Sequence, residues 1–65
     1  RFLEAGDKHL AYERQWKTRK CRIYVNRSGD AWTVTPGKVC MGMYLKLATR
    51  DQLILGPHGF CMVEV

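Results

Sequence analysis

The sequence predicts an α+β domain in which an N-terminal amphipathic helix precedes an antiparallel sheet of four or five strands. Three observations indicate this. Apolar residues recur at spacings of three and four near the start of the chain, they alternate with a period of two over residues 39–47, and turn sequences separate the other short apolar runs. The chain has 65 residues, so we expect a single domain spanning 1–65. The sheet is either open or rolled into a small barrel.

The helix is predicted over residues 7–19. An apolar stripe at this spacing is typical of a helix that packs one face against a core. Asp7 is placed to cap the first turn, and the bases at 17, 19 and 20 complement the helix dipole at the last turn. The residues of the stripe are Phe2, Ala5, His9, Tyr12 and Trp16.

The central strand is predicted over residues 38–47. Large apolar residues occupy positions 39, 41, 43, 45 and 47, with small, amphipathic or charged residues between them. Successive side chains of a strand point to opposite faces, so these five are expected under the helix. Tyr44 and Lys46 are then expected in solvent.

Four further strands are predicted at 21–26, 31–35, 53–55 and 60–65. Short turn sequences at 27–30, 36–37, 49–52 and 56–59 separate the strands, so consecutive strands are expected to be antiparallel neighbours. In the first of them, Cys21, Ile23 and Val25 are expected to face the core. Arg22 and Tyr24 would then face solvent.

The charge of the chain is concentrated in its first part. Residues 1–27 hold eight Lys or Arg and three acids, whereas residues 28–65 hold three of each. Such a basic segment attracts polyanions.

The three cysteines are an odd, widely spaced set, which favours reduced thiols in the cytoplasm. No apolar run reaches the ~18 residues of a membrane span.

The leading functional hypothesis is a non-enzymatic module that binds single-stranded DNA or RNA. On the expected solvent face of the sheet, Thr33 and Thr35 would lie between aromatic and basic side chains, which suits stacked bases and phosphates. The predicted binding residues are Arg14, Lys17, Arg19, Lys20, Arg22, Tyr24, Tyr44 and Lys46. A helix followed by five short strands resembles the layout of Sm-like RNA-binding proteins.

The alternative is a protein-interaction module, or a small regulator or inhibitor that docks on a larger protein, either as a single copy or as a homodimer that would enlarge its small core. The chain lacks paired carboxylates, a phosphate-binding glycine loop and a Cys-His motif, so we expect neither catalysis nor a small-molecule substrate. His58 and Cys61 have the spacing of half a zinc site, but no second close pair exists, so no metal or cofactor is predicted. His9 is expected to be a packed histidine.

Overall fold

The computed structural model describes residues 2–64, which form one curled antiparallel sheet of six strands and no helix. The strands are β1 (Phe2–Ala5), β2 (His9–Trp16), β3 (Arg19–Asn26), β4 (Trp32–Val34), β5 (Lys38–Ala48) and β6 (Leu53–Glu64). The antiparallel sheet is confirmed, and the predicted α+β class is wrong. Residue 65, the end of the last predicted strand, lies outside the described residues.

The segment predicted as a helix, 7–19, contains part of the turn before β2, all of β2, the turn at 17–18 and the first residue of β3. Gly6 N donates to His9 O at 3.0 Å, which closes the turn between β1 and β2. Strong helix formers fill β2, but pairing along its whole length with β3 overrides this local propensity.

The resemblance to the Sm-like layout is lost with the helix. Because residues 2–64 contain no helix, none of them forms a helix long and apolar enough to cross a membrane.

The centre of the sheet is β6 rather than β5. β5 pairs with both halves of β6, β3 pairs with residues 60–64, and β4 pairs with residues 53–55. The predicted strand 53–55 and the described part of the predicted strand 60–65 therefore belong to one strand, and the segment 56–59 bends it without reversing the chain. β3 and β4, expected to be neighbours, each pair with a different half of β6.

The sheet has a closed face and an open face. Residues directly opposite each other on antiparallel strands share a face. The closed face is the buried core, formed by Ala11, Tyr24, Val34, Leu53, Leu55, Cys61 and Val63. The open face consists of Leu10, Tyr12, Ile23, Val25, Met41, Met43, Phe60 and Met62, each half-buried or exposed. The predicted orientation of 21–26 is therefore reversed: Tyr24 points into the core, and Ile23 and Val25 point away from it.

Irregular pairing breaks the alternation in β5 that suggested a single buried face. Val39 pairs with Val63 and Met41 pairs with Met62, so β5 carries one extra residue between these pairs. This bulge shifts the following side chains to the other face. Val39 and Leu45 pack on the core, whereas Met41 is 58% exposed.

A kink bends β5 and β6 together. Four residues of β6, 56–59, lie opposite Tyr44, which has a φ of 56°. A Cβ atom on Gly56 would lie 2.8 Å from Tyr44 O, and one on Gly59 would lie 2.9 Å from Met43 O. Since these neighbours are backbone atoms that cannot move aside, glycine is required at both positions for the strands to approach here.

A buried side-chain network joins this kink to the β3–β4 connection. Asn26 is 1% exposed, and its Nδ2 donates to Asp30 O at 2.7 Å and to Gly56 O at 3.0 Å. Its Oδ1 accepts from Ser28 N at 3.0 Å and from Ser28 Oγ at 2.8 Å. His58 N donates to Ser28 O at 3.2 Å. All four hydrogen-bonding positions of the buried amide are used in this way, which fixes β4 against β6.

Candidate functional site

The structure separates the eight predicted binding residues into three groups. Four of them, Arg14, Lys17, Arg19 and Lys20, lie at the end of the β2–β3 hairpin. Two, Arg22 and Tyr24, belong to the middle of β3, and the remaining two, Tyr44 and Lys46, lie on β5 beside the kink. The single contiguous patch expected from the sequence therefore does not form.

Tyr24 is a core residue, which corrects its predicted role as a solvent-facing stacking platform. It is 4% exposed and meets Trp32 edge-on, with ring centroids 5.7 Å apart at 81°. The other side of this cluster is His9, whose ring stacks on Trp32 at 4.1 Å and 3°. His9 is thus a packed histidine as predicted, although it packs from a strand.

Arg22 has an acidic partner. Its Nε donates to Glu13 Oε1 at 3.0 Å, and the Glu13 side chain is only 7% exposed. This hydrogen bond, followed by a second one with Tyr24, raises the pKa of Arg22 above its usual value. Arg22 and Tyr24 contribute to a cleft of about 310 Å³ beside β4. Because Glu13 offsets its charge, Arg22 is a weaker site for a phosphate than the sequence predicted.

The end of the β2–β3 hairpin brings an aromatic ring and three cations together. Trp16 pairs with Arg19, and Arg14 pairs with Cys21, so Arg14, Trp16 and Arg19 share one face of the hairpin. Trp16 is 68% exposed, and Lys17 Nζ lies 5.8 Å from the centroid of its ring. Lys17 sits in the two-residue turn between the strands with a φ of 57°.

A groove of about 590 Å³ runs beside this hairpin end. Arg19 Nε donates to Glu64 Oε2 at 2.9 Å across it, but the Arg19 side chain is 67% exposed. An ion pair this exposed contributes at most about 1 kcal/mol, so Arg19 can exchange this partner for another anion. The groove is lined by Arg14, Gln15, Trp16, Arg19, Cys21, Cys40, Met62 and Glu64.

Lys20 and the two β5 residues lie outside this groove. Lys20 pairs with Gln15 and is half-buried on the opposite face of the hairpin. Tyr44 is 68% exposed and Lys46 is also exposed, in agreement with their expected solvent position. Both follow Met43, which pairs with Phe60, whereas β6 lines the groove with Met62 and Glu64. Two to four residues of strand, or roughly 7–13 Å, separate the two places.

Sequence reasoning missed Trp16 as a nucleic-acid contact because the predicted helix placed it against the sheet. The sequence did contain one indication of this role. Trp16 lies within residues 14–20, which contain four basic residues and no acidic residue. Lys17-Thr18 lacks the glycine or asparagine that usually indicates a tight hairpin turn, so the turn that exposes Trp16 left no clear signal.

The half zinc site is not assembled. Cys61 is 0% exposed on the closed face, and burial raises the pKa of its thiol to about 11. Among the side chains that the structure describes, no three from His, Cys, Asp or Glu come together to hold a metal ion. Cys21 is half-buried and Cys40 is exposed, and none of the three cysteines forms a disulfide.

Comparison with known proteins gives no relative from which a site could be transferred. No protein-family model, curated protein or solved structure matches the chain.

Proposed function

We propose that this chain is a non-enzymatic module that binds single-stranded DNA or RNA at the end of the β2–β3 hairpin. The observation that carries the proposal is the exposed Trp16 indole standing among Arg14, Lys17 and Arg19. Any unpaired base can stack on such a ring, and the flanking phosphates can pair with the cations. Stacking is worth about 1–3 kcal/mol per base.

Charge supports the same location. The four bases at 14–20 occur without an acid, and they belong to the segment 1–27 that holds the whole net charge of +5. Arg14 and Arg19 present planar guanidinium groups, which bind phosphate oxygens through two parallel hydrogen bonds. Both line the groove beside Trp16, so a strand lying in the groove would reach the ring and the cations together.

The first test is the salt dependence of binding. Fluorescence anisotropy of a labelled oligothymidine and a labelled oligouridine, at 50 and 200 mM salt, measures affinity for the two kinds of strand. If the basic side chains neutralise three phosphates, the affinity for either oligonucleotide should be roughly 20-fold lower at 200 mM salt than at 50 mM salt. An unlabelled duplex should compete poorly, because its bases are already stacked. Absence of binding at 50 mM salt to both oligonucleotides would contradict the proposal.

Two matched pairs of variants locate the site. The double variant Arg14→Glu/Lys17→Glu should abolish binding, whereas Lys46→Glu/Arg50→Glu makes the same charge change away from the groove and should have a much smaller effect. Trp16→Ala should weaken single-strand binding roughly tenfold or more. Its control is Tyr44→Asn, since Trp16 and Tyr44 are both 68% exposed and asparagine tolerates the positive φ of position 44. Equal losses within either pair would contradict this site.

The second candidate is a protein-interaction module or a small regulator that docks on a larger protein. The exposure of Met41 and Met43, 58% and 52%, favours it, since exposed apolar patches commonly mark protein contacts. For either function we propose the cytoplasm as the compartment, because the three cysteines are unpaired.

A further inference from the structure

The open face forms a regular grid of apolar side chains. One row runs across β2, β3, β6 and β5 as Tyr12, Ile23, Met62 and Met41, and the next row runs as Leu10, Val25, Phe60 and Met43. The eight positions carry no charged residue. All three methionines of the chain belong to this grid. Methionine side chains are flexible and polarisable, and they adapt readily to an apposed apolar surface.

We propose that a second copy of this chain covers the open face, so that two sheets pack face to face in a symmetric dimer. This proposal does not depend on nucleic-acid binding. A face without charges is matched best by another apolar face, and a twofold axis brings the same face of a second copy against it. Aligned sheets pack about 10 Å apart with interdigitating side chains, and bulky residues in two adjacent rows suit this arrangement.

The exposed area supports a dimer. The chain exposes 4669 Å², whereas a folded monomer of 7.5 kDa exposes about 4250 Å². The chain thus exposes about 400 Å² more than a typical monomer of its mass, and a specific interface covers roughly 500 Å² or more of each partner. Among the residues whose burial the structure describes, only seven apolar ones form the core, and the cysteines form no disulfide. Chains of this size without such crosslinks are commonly stabilised by oligomerisation.

The distribution of charge is compatible with a twofold axis that lies between the two sheets and runs parallel to the rows. The next row beyond Tyr12 and Met41 holds Arg14, Glu64 and Lys38, so a charged row borders this end of the grid. The exposed Lys8 and Arg27 border the other end. An axis in this direction at the centre of the grid places the two basic hairpin ends at opposite ends of the dimer, which limits their repulsion.

The test is the mass of the full chain in solution. Sedimentation velocity over a dilution series, after nuclease treatment and at high salt so that nucleic acid does not bridge copies, should give twice the 7.5 kDa of one chain at the upper concentrations. Met43→Glu should raise the dissociation constant roughly tenfold or more, because it places a charge inside the interface. The control is Leu3→Glu, an apolar residue that is 38% exposed and lines the cleft beside β4.

Methionine oxidation gives a second measurement, made on the chain without substitutions. This measurement tests the proposal even if Met43→Glu does not fold. Dilute peroxide should oxidise Met41 and Met43 several times more slowly at concentrations where the chain is dimeric than after dilution. A chain that is monomeric at every concentration would overturn the proposal. So would a dimer in which both methionines are oxidised as fast as in the monomer, or one that Leu3→Glu weakens as much as Met43→Glu does.

Discussion

The two faces of the β3–β6 pair are both apolar, but only one of them is closed. Tyr24 and Cys61 lie opposite each other on one face and are 4% and 0% exposed. Ile23 and Met62, one position along each strand, lie opposite each other on the other face and are half-buried. Apolar character therefore does not determine which face of this sheet becomes the core.

The difference arises from how the sheet curls. The kink at 56–59 bends β6, and β4 pairs with the bent half through Trp32 and Leu55. This pairing brings Trp32 edge-on to Tyr24 and against the ring of His9, so that the chain covers its own closed face. The curl leaves Met41 and Met43 on the outside, more than half exposed.

The largest expected difference between the faces is in the effect of truncating one side chain. Leu55→Ala should lower the free energy of unfolding by about 2–5 kcal/mol, because it leaves a cavity at a position that is 0% exposed. Met43→Ala on the open face should cost less than about 1 kcal/mol in the dilute monomer. Urea denaturation at low protein concentration measures the loss of stability in both variants. Equal losses would mean that the open face is packed within one chain.

The second prediction concerns alkaline pH. Burial raises the pKa of Cys61 from an ordinary 9.0 to about 11, so the folded chain holds this proton more tightly than the unfolded chain does. The resulting stability is fully present below pH 9 and is lost as the pH rises from 9 to 11. The loss is on the order of 2–3 kcal/mol. It should be absent in Cys61→Ala, which keeps Cys21 and Cys40, and equal pH slopes in the two proteins would contradict it.

The smallest effect is expected at the kink that produces the curl. Gly59→Ala places a Cβ 2.9 Å from the carbonyl oxygens of Met43 and Tyr44, and should cost about 1–3 kcal/mol by overpacking. Gly29 has open space around its Cβ position and no positive φ. Gly29→Ala should therefore be neutral, or stabilising by about 0.4–1 kcal/mol. Thermal unfolding of the two variants measures the difference, and similar midpoints would show that the kink does not constrain β5 and β6.

The sequence indicated the strands 21–26 and 31–35 because their composition and alternation agree locally. It failed over 7–19 because both faces of β2 carry apolar side chains: Leu10, Ala11 and Tyr12 are consecutive, which hides a period of two. The predicted burial of Met41 and Met43 on β5 was also wrong, since a bulge between Val39 and Met41 has no signature in the residues around it.

The candidate site was predicted in part. The basic cluster Arg14, Lys17, Arg19 and Lys20 was visible in the sequence because charge can be read without a fold. The aromatic partner was not, because stacking surfaces depend on which face is open. Reversal of β3 places Tyr24 in the core, and the hairpin turn exposes Trp16.

Thiol labelling of the native chain tests most directly which face of the sheet is closed. Cys21 and Cys61 lie on adjacent strands but on opposite faces, and Cys40 lies exposed on β5. Pulses of iodoacetamide on the dilute protein, followed by peptide mass spectrometry, give the three rates separately. The structure predicts fast labelling of Cys40, slower labelling of Cys21, and labelling of Cys61 only at the rate at which the chain unfolds. Labelling of Cys61 as fast as Cys21 without denaturant would contradict the assignment of the closed face.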